Sequence, residues 1–273
     1  MLVPGASNAL AARIIEDLGF EAVYLTGAGA TNSFWGLPDL GFISLTEIAQ
    51  HAAAIREAVS IPVVVDSETG FGNALNVRHS VRVLERAGAD AIQIEDQIMP
   101  KKCGHFADKA VIPAEEMAGK IKAAVDARDS NDFLIIARTD AVAVEGFEPA
   151  MERAARYIEA GADVTFVEAP ERIEEIRKIP QRLSAPQVIN IVVGGKTPVL
   201  AQEELAKMGF ALVLYANVAL QGAIAGMQAA LKQLKSAGRM DEADDTVASF
   251  AERQRLVKKP FFDELDRKYG GDK

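Results

Sequence analysis

Eight short apolar runs, separated by longer amphipathic stretches, constrain the fold of this chain more than any other feature. Each run is rich in Val, Ile and Leu and does not alternate with polar residues, which is typical of strands buried on both faces of a parallel sheet. Three of the stretches between them end at a glycine suited to a helix C-cap. The runs lie at residues 2–6, 22–27, 61–68, 91–96, 133–140, 164–169, 187–192 and 211–216.

These strand–helix units follow one another without a linker rich in Pro or Ser, and they predict a (β/α)₈ barrel. A doubly wound open sheet is the alternative, but its dinucleotide-binding form is disfavoured because no G-x-G-x-x-G follows a strand. After residue 216 the apolar residues recur at helical spacing, which predicts C-terminal helices that pack on the barrel or on a partner. We therefore expect one domain over residues 1–273, with the barrel at about 2–216 and the C-terminal helices at about 217–270.

Composition and charge narrow the functional class. The net charge of −9, without a basic block, argues against nucleic acid as a partner. No apolar run is long enough to cross a bilayer, and the N-terminus shows no secretory signal, so we expect no membrane partner. A single cysteine cannot form an internal disulfide, so nothing in the sequence points to an oxidising compartment. The cytoplasm is the expected location.

Polar residues cluster where the predicted strands end, and in a (β/α)₈ barrel the C-terminal strand ends form the active site. Carboxylates gathered there would repel one another unless a cation lies between them, and oxygen ligands favour Mg²⁺, or Mn²⁺, over zinc. The alternative for any one acid is a helix N-cap. The residues concerned are Asp66 and Glu68, Glu95 and Asp96, Arg138 and Asp140, Glu168, and Asn190.

Three further expectations concern individual residues and one glycine-rich segment. Asp66 and Glu68 are two residues apart, so we expect them to share one face of an extended strand. Arg138 is suited to hold a carboxylate or phosphonate in a two-pronged contact. The segment "TGAGA", residues 26–30, is interpreted as a glycine-rich loop whose amides could cradle a carboxylate, with an ordinary turn as the alternative.

The only cysteine, Cys103, lies in "PKKCGH" after the fourth strand, in a segment whose proline and glycine indicate a loop. We expect this loop to overhang the metal site. Lys101, Lys102 and a protonated His105 would stabilise the thiolate and lower the pKa of the thiol. We interpret Cys103 as a general acid/base in preference to a covalent nucleophile. The alternative is a chance exposed cysteine.

A mobile loop that carries an acid/base over a metal and an arginine predicts cleavage of a carbon–carbon bond in a 2-hydroxy acid. The metal and the arginine would stabilise the growing oxyanion, and the thiol would deliver a proton to the carbanion carbon. Closure of the loop would exclude water from the site.

Seven motifs together resemble the isocitrate lyase/phosphoenolpyruvate mutase superfamily. They occur in the expected order over about residues 2–220, and the sequence K-K-C-G-H resembles the lyase branch, because phosphonate mutases usually lack that cysteine. The resemblance implies a Mg²⁺-dependent lyase on a (β/α)₈ barrel, in a homotetramer that swaps the last barrel helix between subunits. The motifs are "VYLTGAG", "GLPDLG", "VDSETGFGN", "IEDQIMPKKCGH", "IIARTDA", "FVEAP" and "GGKTP".

The resemblance also implies roles for individual residues. Asp66 would ligate the metal directly, and Cys103 would be the general acid/base. The metal's water shell would be held by Asp39, Glu68 and Glu95. The substrate's carboxylate and carbonyl oxygens would be bound by Tyr24, Thr26, Gly27 and Ala28. Arg138, Glu168 and Asn190 would complete the pocket, and Lys101, Gly104 and His105 would line the gating loop.

Two departures from the family pattern leave the substrate open. "DSE" stands where the family usually reads Asp-x-Asp, and Val193 stands where small-dicarboxylate lyases often carry Glu. The leading hypothesis is cleavage of a 2-methylisocitrate or 2,3-dimethylmalate type of acid to a 2-oxo acid such as pyruvate and a second carboxylate, through an enolate-like intermediate. The alternatives are an oxaloacetate decarboxylase or hydrolase, a phosphonate mutase, and a non-catalytic sensor of 2-oxo acids.

Overall fold

A computed structural model describes residues 1–104 and 108–270 of the chain. Eight parallel strands in this part form a closed barrel in which each strand pairs with its sequence neighbours and the last pairs with the first. Each strand lies within the corresponding predicted run, so the predicted (β/α)₈ fold is confirmed. The strands are β1 (Leu2–Ala6), β2 (Val23–Leu25), β3 (Val63–Asp66), β4 (Ala91–Glu95), β5 (Leu134–Thr139), β6 (Val164–Val167), β7 (Gln187–Asn190) and β8 (Leu212–Tyr215).

Helices follow each strand, and several begin at a side-chain cap that the sequence supplies. Ser44 and Glu47 form a capping box at one helix, and the side chain of Asn73 caps another. None of the helices in the described ranges has the length and apolar character needed to cross a membrane. The helices are α1 (Ala9–Asp17), α2 (Gly27–Trp35), α3 (Leu45–Ala58), α4 (Ala74–Arg86), α5 (Ala114–Val125), α6 (Val142–Glu145), α7 (Phe147–Glu159), α8 (Ile173–Arg182), α9 (Gln202–Met208), α10 (Val218–Ala237), α11 (Phe250–Leu256) and α12 (Lys259–Tyr269).

The interior of the barrel is filled by apolar side chains from successive strands, among them Val3, Ile136, Phe166 and Val188. A second apolar layer lies between the strands and the surrounding helices. Because both faces of each strand are packed, polar side chains of the strands project mainly at the barrel ends. The C-terminal strand ends therefore form the mouth described below.

The helices after β8 contrast with this packed core, because none of their described residues is buried. On α10 the apolar side chains of Ile224, Met227, Leu231 and Leu234 recur at helical spacing and stay between 42% and 63% exposed. An apolar groove of about 480 Å³ lies between α1 and the start of α10. The predicted C-terminal helices are thus found in the structure, and α10 exposes an apolar surface.

Candidate active site

Five strands place polar side chains at one end of the barrel. Asp66, Glu95 and Asn190 are the last residues of β3, β4 and β7, and Glu168 directly follows β6. Arg138 lies near the end of β5 and pairs in register with Glu95 of β4. All five side chains are buried. The predicted convergence of these residues at the mouth is confirmed.

Glu68 reaches the mouth by a route that the sequence did not predict. β3 ends at Asp66, and Glu68 adopts a positive φ of 54°, so the prediction that both share one face of an extended strand is wrong. The turn is fixed locally, because the Glu68 amide donates to Asp66 Oδ1 at 3.1 Å and the Glu95 amide donates to the Glu68 carbonyl at 2.9 Å. This non-glycine residue in the left-handed region places its carboxylate at the mouth.

The segment "TGAGA" forms the start of a helix, and the prediction of a loop is wrong. Thr26 is the N-cap of α2, and its Oγ1 accepts from the Gly29 amide at 3.2 Å. The amide of Gly27 donates to Asp66 Oδ2 at 3.3 Å. A side chain at Gly27 would collide with Glu68 Oε1, so any larger residue here would displace the Glu68 carboxyl group. Ala28 lines the same mouth.

Arg138 is surrounded by carboxylates. Its Nε and Nη2 donate to the two oxygens of Asp140 at 2.9 and 3.0 Å, and Nε lies 3.4 Å from Glu95 and 4.0 Å from Glu168. Asn190 Nδ2 donates to Glu168 Oε1 at 3.3 Å. Asp140 occupies the Nε edge of the guanidinium, so a substrate anion would meet the edge formed by Nη1 and Nη2.

Lys101 directs its ammonium at the predicted metal-holding carboxylates. Its Nζ donates to Asp39 Oδ1 at 2.5 Å and lies 2.9 Å from Glu68 Oε2, and its side chain is 4% exposed. These anions balance its charge, whereas the sequence suggested that this charge acts mainly on the thiol of Cys103. The carboxylates outweigh burial and raise the pKa of Lys101, so its ammonium stays protonated.

Tyr24 lines the mouth but directs its hydroxyl towards the barrel interior, where it donates to Gln93 Oε1 at 2.6 Å. Gln93 in turn donates to Asp66 Oδ1 at 3.4 Å. Sequence reasoning named Tyr24 but missed Gln93, which lies mid-strand in β4 and carries no signal beyond being an amide in an apolar run. The pair connects Asp66 to the buried interior.

The segment that carries Cys103 packs directly on the mouth. Cys103 and Gly104 line the same cavity as Asp66, Arg138 and Glu168. A side chain at Gly104 would approach Glu168 Cγ to 2.6 Å and collide with Arg138, so a larger residue would displace these two side chains. Cys103 is half-buried. His105 lies outside the described residues, and its predicted role stays a prediction.

The carboxylates of the mouth have the character of a cation site. Burial raises the pKa of Glu68 to about 8, although Lys101 opposes the shift, and burial likewise raises the pKa of Glu95 despite Arg138. Glu68 Oε1 and Glu95 Oε1 are buried and accept no hydrogen bond within the described part of the chain. A bound cation would favour the ionised form of these carboxyl groups, so they are suited to an oxygen-liganded cation.

A ready coordination cage is nevertheless lacking. Within residues 1–104 and 108–270, no group of three or more His, Cys, Asp or Glu side chains is placed to hold a metal ion. Asp39, Asp66 and Glu68 face the mouth, but the ammonium of Lys101 stands between two of them. The oxygen donors therefore match the ligand preference of Mg²⁺, and binding of the ion would require the Lys101 ammonium to move away from Asp39 and Glu68.

The mouth cavity measures about 30 Å³, which is room for roughly one or two waters. One side carries the polar residues above, and the opposite side is lined by Val192, Leu214 and Ala216 from the ends of β7 and β8. Asn217 Oδ1 accepts from Thr26 Oγ1 at 3.2 Å. Val192, Leu214 and Ala216 carry no signal of a site in the sequence, because an apolar residue at a strand end has the same pattern as a residue of the core.

The phosphoenolpyruvate phosphomutase family model matches residues 1–235. The chain belongs to the phosphoenolpyruvate mutase/isocitrate lyase superfamily. It is 42% identical over 269 residues to 2,3-dimethylmalate lyase from Eubacterium barkeri, which covers 98% of this chain and 93% of the relative. It is 44% identical over 257 residues to 2-methylisocitrate lyase from Aeropyrum pernix, which covers 94% of this chain and 82% of the relative.

Solved structures from the superfamily have the same fold. A 2,3-dimethylmalate lyase structure matches with a TM-score of 0.93 at 33% identity, covering 99% of this chain and 91% of the other. Oxaloacetate acetylhydrolase with 3,3-difluorooxalacetate also gives 0.93, at 31% identity and coverages of 99% and 92%. Phosphonopyruvate hydrolase, described as a complex with oxalate and Mg²⁺, gives 0.88 at 30% identity and coverages of 98% and 94%. The predicted family is confirmed.

Proposed function

We propose that this chain is a Mg²⁺-dependent carbon–carbon lyase that cleaves a 2-hydroxy di- or tricarboxylate to a 2-oxo acid, such as pyruvate, and a second carboxylate. The observation that carries the proposal is the placement of Cys103 over the cavity lined by Arg138 and Asp66. The relatives named above support a substrate of the 2,3-dimethylmalate or 2-methylisocitrate type. Mn²⁺ shares the ligand preference and is the alternative cation.

The metal-holding residues in this proposal are Asp66, as a direct ligand, and Asp39, Glu68 and Glu95, which hold the water shell. They are oxygen donors at one buried mouth, and two of them carry buried oxygens that accept no hydrogen bond from the described residues. When bound, the ion would act as a Lewis acid towards the substrate oxygens.

Arg138 binds and orients a substrate carboxylate in this proposal. Asp140 holds the guanidinium plane in place with two hydrogen bonds, so the free edge is oriented before the substrate arrives. Such preorganisation favours the oriented complex, because little ordering remains to be done on binding. The pocket is completed by Tyr24, Thr26, Gly27, Ala28, Glu168 and Asn190.

Cys103 is the proton donor in this proposal. During cleavage the substrate hydroxyl loses its proton and becomes the carbonyl of the 2-oxo acid, and the electron pair of the broken bond passes to the departing fragment. The thiol of Cys103 then protonates the carbon of that fragment. Gly104, Lys101 and His105 belong to the loop that brings the thiol to the mouth and excludes water.

The test is turnover of a panel of 2-hydroxy acids with Mg²⁺, followed by formation of 2-oxo acid. We expect Cys103→Ser to lower turnover by about 10²–10⁴-fold, as loss of an acid/base group does. Calorimetry should show that the same variant still binds Mg²⁺ and the 2-oxo acid product, because neither contact uses the thiol. Undiminished turnover by Cys103→Ser would contradict the assignment.

Hydrolysis or decarboxylation of oxaloacetate is the second candidate, and the structural match to oxaloacetate acetylhydrolase favours its inclusion. The products separate the reactions, because hydrolysis gives oxalate and acetate, whereas decarboxylation gives pyruvate and CO₂. Tight binding of oxalate or pyruvate without any turnover would instead indicate a sensor.

We further propose that the chain is a single domain that assembles as a homotetramer in the cytoplasm, with α10 exchanged between subunits. The apolar stripe on α10 and the apolar groove beside α1 support this assembly, because a second copy of the helix could fill such a groove. Sedimentation of the purified protein measures the subunit number.

A further inference from the structure

The segment that carries the thiol is attached to the barrel at both of its ends. Gln97 and Val111 form an antiparallel bridge, and the Ile98 amide donates to the Ala110 carbonyl at 2.9 Å. The side-chain amide of Gln97 also exchanges two hydrogen bonds with the backbone of residue 102. These contacts fix the base of the segment and the backbone of residue 102. On the same N-terminal side of Cys103, the Lys101 ammonium contacts Asp39 and Glu68 at the mouth.

Lys109 joins this segment to the barrel on the C-terminal side of the thiol. Its Nζ donates to the Gly104 carbonyl at 2.5 Å and to Asp140 Oδ1 at 2.7 Å. The side chains of Lys109 and Asp140 are 1% and 0% exposed. A buried ammonium needs such acceptors, because an unpaired buried charge is strongly unfavourable. One acceptor is next to Cys103 in sequence, and the other belongs to the barrel.

Asp140 is also the carboxylate that orients Arg138, so one side chain contacts both the anion-binding arginine and the thiol segment. It is held from below, because its amide donates to Asp96 Oδ1 at 2.9 Å. Burial alone would raise the pKa of Asp140, but the adjacent charges of Arg138 and Lys109 lower this pKa to about 2. Asp140 is therefore a fixed anion at neutral pH.

The mouth is too small for a substrate while this contact is made. A cavity of about 30 Å³ does not admit a dicarboxylate, and Gly104 leaves no space above Arg138. In this state Cys103 and Gly104 occupy the place above Arg138, so a bound substrate requires these two residues to take another position. Lys109 makes its contacts with Gly104 and Asp140 in this same state.

We propose that Lys109 is a positioning residue that holds the Cys103 segment against the barrel mouth through Asp140. The proposal rests on the proposed function in one respect, since it assigns the held state as the one in which Cys103 transfers its proton. The physical claim about the segment is independent of turnover and can be measured without a substrate.

The direct measurement is the rate at which iodoacetamide alkylates Cys103 in the full-length protein, followed up to alkaline pH. At the plateau the thiol is fully ionised, so the rate reports access and not the pKa of the thiol. We expect Lys109→Met to raise the plateau rate by about tenfold, the effect of losing charge-assisted hydrogen bonds. Lys109→Gln keeps a hydrogen-bond donor without the charge, so its plateau rate should lie between those of the parent protein and Lys109→Met.

Lys102→Met is the matched control. Lys102 carries the same charge in the same segment, but its Nζ donates to the Asp108 carbonyl within that segment at 2.9 Å and, among residues 1–104 and 108–270, to no residue of the barrel. Removing it should leave the plateau rate within about twofold of the parent protein. Equal plateau rates in Lys109→Met and Lys102→Met would overturn the proposal, provided that circular dichroism shows both to be folded.

Kinetics adds a second readout on any acid that the protein turns over. Lys109→Met should lower kcat by about tenfold or more and change KM little, because Asp140 still orients Arg138 for binding. An increase in KM at unchanged kcat would contradict the positioning role. If no acid is turned over but the alkylation rates differ as expected, the lyase proposal fails while the role of Lys109 in holding the segment stands.

Discussion

The barrel mouth and α10 depart from the usual distribution of side chains in opposite directions. At the mouth, charged groups such as Glu68, Glu95 and Arg138 are almost completely buried. On α10, apolar side chains such as Met227 and Leu231 are more than half exposed. Folded proteins generally bury apolar groups and leave charges in water, so each region is costly in the isolated chain.

The difference between the two regions indicates two kinds of partner. Buried carboxyl groups whose oxygens accept no hydrogen bond from the described residues gain most from a small cation and an anionic substrate, which supply charge without large area. A helical apolar stripe gains most from a complementary protein surface, which removes area from water without charge. The mouth is therefore suited to chemistry and α10 to assembly, and the following experiments separate the two.

Arg138→Met should have the largest effect, because it leaves Glu95, Asp140 and Glu168 buried with less compensating charge. We expect the free energy of unfolding to fall by about 3–5 kcal/mol, the usual result of breaking a buried ion pair. Turnover should be lost with it. Urea denaturation gives the first quantity, and the 2-oxo acid assay gives the second.

Arg182→Met is the control for the loss of charge. Arg182 pairs with Glu148 at 2.7 Å, but the two side chains are 43% and 59% exposed. Its loss should cost less than about 1 kcal/mol, because solvent screens exposed pairs. Equal destabilisation by both substitutions would remove the distinction between the mouth and the ordinary surface.

Leu231→Lys should act on assembly and leave the barrel intact. It puts a charge in the centre of the α10 stripe, at a side chain that is 63% exposed in the single chain. We expect a smaller species in sedimentation at micromolar concentration and an unchanged circular dichroism spectrum. Ala229→Lys adds the same charge on the opposite face of α10 and should leave the sedimentation coefficient as it was. Dissociation by both variants would mean that charge alone, and not the stripe, controls assembly.

Binding of Mg²⁺ should release protons at neutral pH. The pKa of Glu68 is about 8 in the fold, above its ordinary value of 4.5, so the metal-free protein holds an extra proton between these two values. The free energy of unfolding of the metal-free protein should therefore decrease as pH rises from about 4.5 to about 8, and Mg²⁺ affinity should increase over the same range.

Calorimetry at pH 7 in two buffers with different ionisation enthalpies measures this proton release. Glu68→Gln should abolish the share that comes from Glu68 and weaken Mg²⁺ binding. Release that is the same in the parent protein and in Glu68→Gln would show that Glu68 is already ionised before the metal binds.

Arg255→Met should have the smallest effect. Arg255 joins α11 to Asp17 of α1 with two hydrogen bonds of 2.7 and 2.6 Å, but both side chains are well exposed. We expect no measurable change in the denaturation midpoint or in the sedimentation coefficient. A clear loss of assembly would mean that this pair, and not only the α10 stripe, positions the C-terminal helices.

Much of the site was predictable because strand ends are predictable. Once the apolar runs define parallel strands, residues such as Asp66, Glu95 and Arg138 must lie at one end of the barrel. The local backbone was less predictable. The sequence predicted Glu68 within the strand, because no sequence pattern indicates a positive φ at a non-glycine residue. It also predicted a loop at "TGAGA", where Thr26 caps a helix.

The contacts of the lysines were not predictable at all. Lys101 was expected to act on the thiol, but it contacts Asp39, which is 62 residues away in sequence. Lys109 received no assignment, although it joins the thiol segment to Asp140. A long flexible side chain reaches many acceptors, and only the folded barrel brings one of them within range.

The sequence by itself determined the barrel and the set of groups at its mouth, because continuous apolar runs and the amphipathic stretches between them are local properties of the chain. The tertiary structure alone decided which charges form ion pairs and how closely Gly104 approaches Arg138. It also decided that the apolar stripe on α10 is exposed in the single chain. These features depend on distances between residues far apart in sequence, and burial sets their energies only once the barrel has closed.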